Sequence, residues 1–245
     1  TRLTCSLIGL TSLDISTFSA LEFLDCSANS LIEIDASSNN NLRELFFGNT
    51  TLEVLDVANT KLTTISTVNS SVPNLKTIDA SNCSELTYIA KFNPQFDTTP
   101  YNLENLNVEN CDVLQRISVT YNKVNNLNIN NTDALEEIYM QFNDLTDLDL
   151  SQNTNLTAID IQNNKLENLN LKNGSNNNLT FLRTQGNDDL LCIEVDDTNI
   201  ASNNSNWRID SQSNYSENCS PINHPDYDAL LAFYNATDGN NWVNK

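Results

Sequence analysis

Between Leu103 and Leu166 an apolar unit, L-x-x-L/I, restarts after 11, 10, 11, 10, 11 and 10 residues. The same unit starts earlier at Leu10, Leu21, Leu31, Leu42, Leu52, Leu62, Leu75 and Leu86, and later at Leu179 and Leu190. The strict alternation makes the true period 21 residues, with two similar halves. Within each half the apolar residues fall at offsets 0, +3 and +5. Offsets +3 and +5 point to the same side of a strand and +4 to the other. A strand this short cannot bury its apolar face alone; stacking it on its equivalent one period later buries that face and pairs its backbone. The periodicity therefore predicts an all-β solenoid with two short parallel strands per 21-residue coil over residues 3–193, and little helix before residue 221.

Offset +8 is often Asn, at Asn29, Asn39, Asn122, Asn143, Asn153, Asn164 and Asn187. That place lies at the inward turn after the strand, where an amide can both donate to and accept from the turn backbone of a neighbouring coil. A buried amide left unpaired costs about 1–3 kcal/mol, so these residues are read as a structural ladder. The chain holds 43 Asn but Gly 5, which fits a molecule built on many side chain–backbone bonds. Three intervals break the period: Leu62 to Leu75, Leu166 to Leu179, and Leu86 to Leu103. The last carries Lys91 to Tyr101 as an insertion, expected to protrude because a coil accepts extra residues only where the chain leaves it.

The pattern L-x-x-L-x-L-x-x-N resembles the leucine-rich repeats, and its two-part form is similar to the nested bacterial subclass called IRREKO-type, found in surface proteins of Bacteroidetes. The resemblance covers roughly residues 3–193. It implies a leucine-rich repeat array over 1–191 and a C-terminal cap over 192–220, with Cys192 and Cys219 paired and Trp207 over the core. An open solenoid end exposes core and sheet edge, which is why a cap is needed. Residues 221–245 read as a linker followed by an amphipathic helix, with Tyr227, Leu230, Leu231 and Tyr234 on one face. That stretch resembles the opening of a further repeat block, so the chain is expected to belong to a longer, multi-domain protein.

Of the other cysteines, Cys5 and Cys26 are read as buried free thiols. Cys83 and Cys111 leave two readings open: a bridge clasping the 86–103 insertion, or Cys standing in for Asn in the ladder. A paired cap implies an oxidising compartment, hence an extracellular or bacterial cell-surface location. No cofactor is expected. The chain has a single His, His224 before Pro225, which nearly excludes Ser-His-Asp and Cys-His catalysis and any multi-His zinc site. A packed solenoid offers no deep cleft, and no enzyme activity is expected. A net charge of −20 argues against nucleic acid and anionic lipid as partners. No apolar run approaches the length that spans a membrane.

Two outward columns separate the halves. On the odd-numbered strands, offset +4 runs Asp14, Asp35, Asp56, Asp79, Asn107, Asn128, Asp149, Asn170. Stacked carboxylates repel, so either a cation bridging this column or turn bonding could hold them. The Asp so often lies two residues before Ser that turn bonding is the reading adopted, and no metal site is assigned. On the even-numbered strands the outward residues vary and include aromatics and Arg, the usual anchors of an interface. The candidate binding residues are Phe46, Tyr88, Arg116, Tyr121, Tyr139, Phe142 and Arg183, bordered by Phe92, Phe96 and Tyr101 of the insertion. The sequence thus predicts a monomeric, non-catalytic binding or adhesion module for a protein or glycan. The alternative is a structural spacer holding other domains away from the cell surface.

Overall fold

The computed structural model describes residues 1–49, 51–66, 72–90 and 101–219. The expected coil is present. On the even side lie β1 (Arg2–Thr4), β2 (Phe23–Asp25), β4 (Glu44–Phe46), β6 (Thr64–Ser66), β8 (Tyr88–Ala90), β10 (Arg116–Ser118), β12 (Glu137–Tyr139), β14 (Ala158–Asp160), β16 (Phe181–Arg183) and β18 (Trp207–Arg208). On the odd side lie β3 (Glu33–Asp35), β5 (Val54–Asp56), β7 (Thr77–Asp79), β9 (Asn105–Asn107), β11 (Asn126–Asn128), β13 (Asp147–Asp149), β15 (Asn168–Asn170), β17 (Cys192–Glu194) and β19 (Asn214–Ser216). Every pairing is parallel, and most join residues one period apart, as in Arg116↔Glu137 and Asn105↔Asn126. Among the described residues the helical content is one short α-helix, α1 (Thr198–Asn203), and a 3-10 turn at Asn176–Asn178.

Each side was expected to be one sheet, and each is split once. The even side forms a three-stranded block, β1-β2-β4, and a seven-stranded block, β6 to β18; the odd side forms a five-stranded block, β3 to β11, and a four-stranded block, β13 to β19. The even break falls where Leu42 to Leu62 spans one residue less than a full period. The odd break falls beside Leu127 and Ile129, half-buried where their equivalents are buried.

The core is the stack of strand centres. Leu24, Ile34, Leu55, Ile78, Ile89, Ile117, Ile138, Ile159, Leu182 and Ile193 are fully or almost fully buried. Each contributes on the order of 1.5–3 kcal/mol by leaving water. Between the sheets and the turns runs the Asn ladder. Asn143 donates to the carbonyls of Val119 (2.8 Å) and Met140 (3.1 Å) and accepts from the Val124 N–H (3.0 Å). Asn164 and Asn187 repeat the arrangement one and two coils on. Every rung ties its own turn to the preceding coil, so these amides fix both the turn and the stacking.

Cys83 and Cys111 occupy ladder positions as free, buried thiols. Cys83 donates to the Val57 carbonyl and Cys111 to the Ala80 carbonyl, both at 3.1 Å. The ladder reading is therefore the one the structure takes. Cys26 is a buried free thiol, and burial pushes it up to about 12. Its neighbour Cys5 is free but only half-buried.

The leucine signature ends at Leu191, but the coil does not. β17 pairs with β15, β18 with β16 and β19 with β17, so the last segment extends both sides before closing them. Cys192 and Cys219 form a disulfide with their Cα atoms 5.8 Å apart. Trp207 is buried, donates its indole N–H to the Leu179 carbonyl (2.9 Å) and meets the Tyr215 ring edge-on. Replacing both Cys192 and Cys219 by Ser is expected to lower unfolding stability by about 3 kcal/mol, read from urea curves. An unchanged midpoint would mean that the Trp207 packing closes this end unaided. The helix expected over 226–245 and the linker before it lie outside the described residues.

Candidate functional site

The outward residues of β8, β10, β12, β14, β16 and β18 form two adjoining columns, because parallel in-register strands place equivalent side chains about 4.8 Å apart. One column brings Tyr88, Arg116 and Glu137 together in sequence of coils. The other brings Ser118, Tyr139, Asp160, Arg183 and Arg208 together. Arg116 sits at their junction. Its guanidinium carbon lies 6.0 Å from both the Tyr88 and the Tyr139 ring centroids, and it pairs with Glu137. Tyr88 is 38% exposed and its hydroxyl meets Gln115 Oε1 at 3.3 Å. Tyr139 is half-buried; burial, then the neighbouring Glu137, pushes its phenol up.

Asp160 is the buried carboxylate of this face. Burial pushes it up, while the Gln162 N–H, the Gln141 side chain and Arg183 pull it back towards the ionised form. Arg183 stands 3.9 Å from Asp160 and 4.7 Å over the Phe181 ring. Next to it in register is Arg208, which is exposed. The chain has five arginines: Arg2, Arg116, Arg183 and Arg208 lie in even-side strands, and Arg43 immediately precedes β4. In a molecule of net charge −20, planar cations are confined to one side.

At the turn after many of the strands, offset +7 takes a left-handed backbone. Asn59, Asn82, Asn110, Asn131, Asn163 and Gly186 hold it in most coils. Asn and Gly tolerate that region, whereas a bulky L-residue there costs about 1–2 kcal/mol. Four described residues depart from Asn and Gly: Leu7 (φ 60°) and Ala28 (φ 52°) in the first coils, and further on Tyr121 (φ 56°) and Phe142 (φ 58°). The rings of Tyr121 and Phe142 stack face to face, centroids 4.3 Å apart and 12° from parallel, and both remain over 40% exposed. Stacking two exposed rings recovers part of the strain, yet nothing in the core requires aromatics at this position.

Phe46 is 52% exposed and lies against Phe23, centroids 5.6 Å apart, in the three-stranded block. It is therefore separated from the Tyr88–Arg183 group by the sheet break. Tyr101, expected to border the face, is a correction: it is only 9% exposed. It ends the insertion and leads the chain back into the coil at Asn102, whose side chain donates to the Pro73 carbonyl (2.7 Å). Phe92 and Phe96 lie outside the described residues. Sequence reasoning did not single out Arg208, Gln141 or Asp160. Arg208 follows the last leucine unit, and its only signal was the Trp207-Arg208-Ile209 alternation.

The odd side has another character. Asp14, Asp35, Asp56, Asp79 and Asp149, and with them Asn107, Asn128 and Asn170, each accept the backbone N–H two residues on. Their oxygens cap their own turns. Near the disulfide this side carries a depression of about 220 Å³ lined by Asp147, Asp149, Asn168, Asn170 and Glu194. Asp147 accepts from the Asn168 amide, while Asp149 and Asn170 accept from their own turns. Asp147 is held below the usual carboxylate range by Asn168 and Thr146. The even side is where charge, rings and a buried carboxylate meet.

The coil, the ladder and the closed end define a leucine-rich repeat solenoid. No family model matches the sequence, and no curated protein matches it. Among solved structures, the chain is similar to the functional domain of InlJ from Listeria monocytogenes, described as including a cysteine ladder, at 21% identity and TM-score 0.32. That match covers 79% of this chain and 48% of InlJ's, so the chain spans about half the length of that structure. It is also similar to the internalin InlF of Listeria monocytogenes (16% identity, 90% and 87% covered, TM-score 0.27). A third is the leucine-rich repeat protein LIC12759 of Leptospira interrogans (16% identity, 76% and 75% covered, TM-score 0.23).

Proposed function

We propose that this chain is a non-catalytic binding module of a secreted or cell-surface bacterial protein, belonging to the nested 21-residue repeat subclass of Bacteroidetes. In this reading residues 1–191 are the recognition solenoid, 192–220 close it, and 221–245 lead into a following block of a multi-domain parent. The partner is a protein or a glycan, met by the even side around Tyr88, Arg116, Tyr139 and Arg183. One observation carries the reading: every arginine and nearly every outward aromatic lies on one side, while the opposite carboxylates serve their own turns. A spacer would have no use for that asymmetry. The cap disulfide is consistent with an oxidising, extracellular setting.

The test begins by presenting the immobilised chain to arrays of glycans and of extracellular proteins. On the partner captured, Arg116→Ala and Tyr139→Ala are each expected to weaken affinity by about tenfold or more, as truncation of a central Arg or Tyr does. Asp35→Ala and Asp149→Ala should change it by less than about twofold. The reverse ranking would put the recognition face on the odd side. An empty result from both arrays would favour the spacer.

A further inference from the structure

The stacked pair Tyr121–Phe142 stops abruptly. The left-handed row of the even side reads Tyr121, Phe142, Asn163, Gly186 over four successive coils: ring, ring, amide, no side chain. The Asn163 amide leans towards Gly186, where its Oδ1 lies 2.6 Å from the place a Cβ would take. It is thus drawn away from Phe142. The face of Phe142 opposite Tyr121 meets no third ring among the described residues. The step in the row is one coil deep, about 4.8 Å, which leaves room for one ring to lie against Phe142.

We propose that this step is a sugar subsite, in which a pyranose of a β-linked, gluco-configured oligosaccharide continues the stack on Phe142 above Asn163 and Gly186. The inference rests on the even side being the recognition face and names the chemistry that part of it takes. A sugar with all hydroxyls equatorial exposes flat axial C–H faces. Those polarised hydrogens suit the negative face of an aromatic ring. Its rim is a ring of hydroxyls, and the surroundings supply flat amides to meet them. Gln162 donates to Gln185 across the next coil (3.3 Å), and Asn163 stands in the row itself. A peptide anchor would call for an aliphatic pocket, whereas the side chains placed beside this step are the amides Gln162, Asn163 and Gln185.

The strain makes the test sharp. Phe142→Asn and Tyr121→Asn restore the residue that Asn163 already uses at the same backbone angle, so neither variant should unfold the chain. The intact 245-residue chain is titrated by calorimetry with cellohexaose, laminarihexaose, chitohexaose and, as the peptide arm, decaproline. At least one hexasaccharide is expected to bind. Phe142→Asn should weaken it by more than about tenfold and Tyr121→Asn by less, with melting temperatures unchanged or raised. Asn163→Phe, which fills the step with the chain's own ring, should abolish the same binding. The proposal is overturned if no hexasaccharide binds, if Phe142→Asn binds as well as the parent, or if decaproline binds in a Phe142-dependent way instead. Any of these leaves the even-side reading standing on its own Arg116 and Tyr139 test.

Discussion

Asn164→Ala is expected to destabilise the chain by about 2–4 kcal/mol, because it leaves the buried Leu145 N–H without its acceptor, at a cost of about 1–3 kcal/mol, and removes one of the two amide donors from each of the Met140 and Ile161 carbonyls. The amide donates to Met140 (2.9 Å) and Ile161 (3.0 Å) and accepts from Leu145 (3.1 Å). Met140 and Leu145 belong to the previous coil, so the loss loosens a turn and the stacking beneath it. Asn155→Ala is the matched control. That amide also bonds a carbonyl of the previous coil, Asp133 at 2.8 Å, but at the surface, where water replaces it. Urea unfolding of the two variants decides the matter. Near-equal losses would mean that the ladder contributes little beyond the apolar stack.

Trp207→Ala should cost a similar amount, about 3–5 kcal/mol, as large-to-small changes of buried aromatics do. Trp207 closes the last even-side coil, with its backbone in register beside Leu182 and its ring against Tyr215. Because each coil contacts only its neighbours, the effect should be directional. Hydrogen exchange should speed up first in β16 and β14 and leave β2 and β4 unchanged. A uniform loss of protection along the chain would contradict the nearest-neighbour picture.

The coil was legible because a 21-residue period admits few solutions for chains with apolar residues at offsets 0, +3 and +5. The ladder was legible for the same reason: one polar type recurs where the pattern turns inward. The choice at Cys83 and Cys111 was not, since a thiol in a ladder and a half-disulfide look alike in sequence; the carbonyls they reach separate them. Tyr101 misled because a ring beside an insertion reads as exposed, whereas re-entry into a coil needs an apolar residue to seat it. Tyr121 and Phe142 could have been weighted more heavily from sequence alone. They stand at the offset where most coils place Asn or Gly, and the backbone angle explains why that substitution matters. Asp160 shared its column with surface residues, and only the packing of Gln141 and Arg183 around it makes it buried.

The central claim is that the two sides of the solenoid do different work, and side-chain footprinting with hydroxyl radicals reads this directly. Labelling of the free chain is compared with labelling in the presence of the captured partner. Tyr88, Tyr121 and Phe142, exposed on the even side, should be protected. Ile32 and Leu191, exposed beside the odd strands β3 and β17, should label as before. Protection of Ile32 and Leu191 with Tyr88, Tyr121 and Phe142 still reactive would contradict the account.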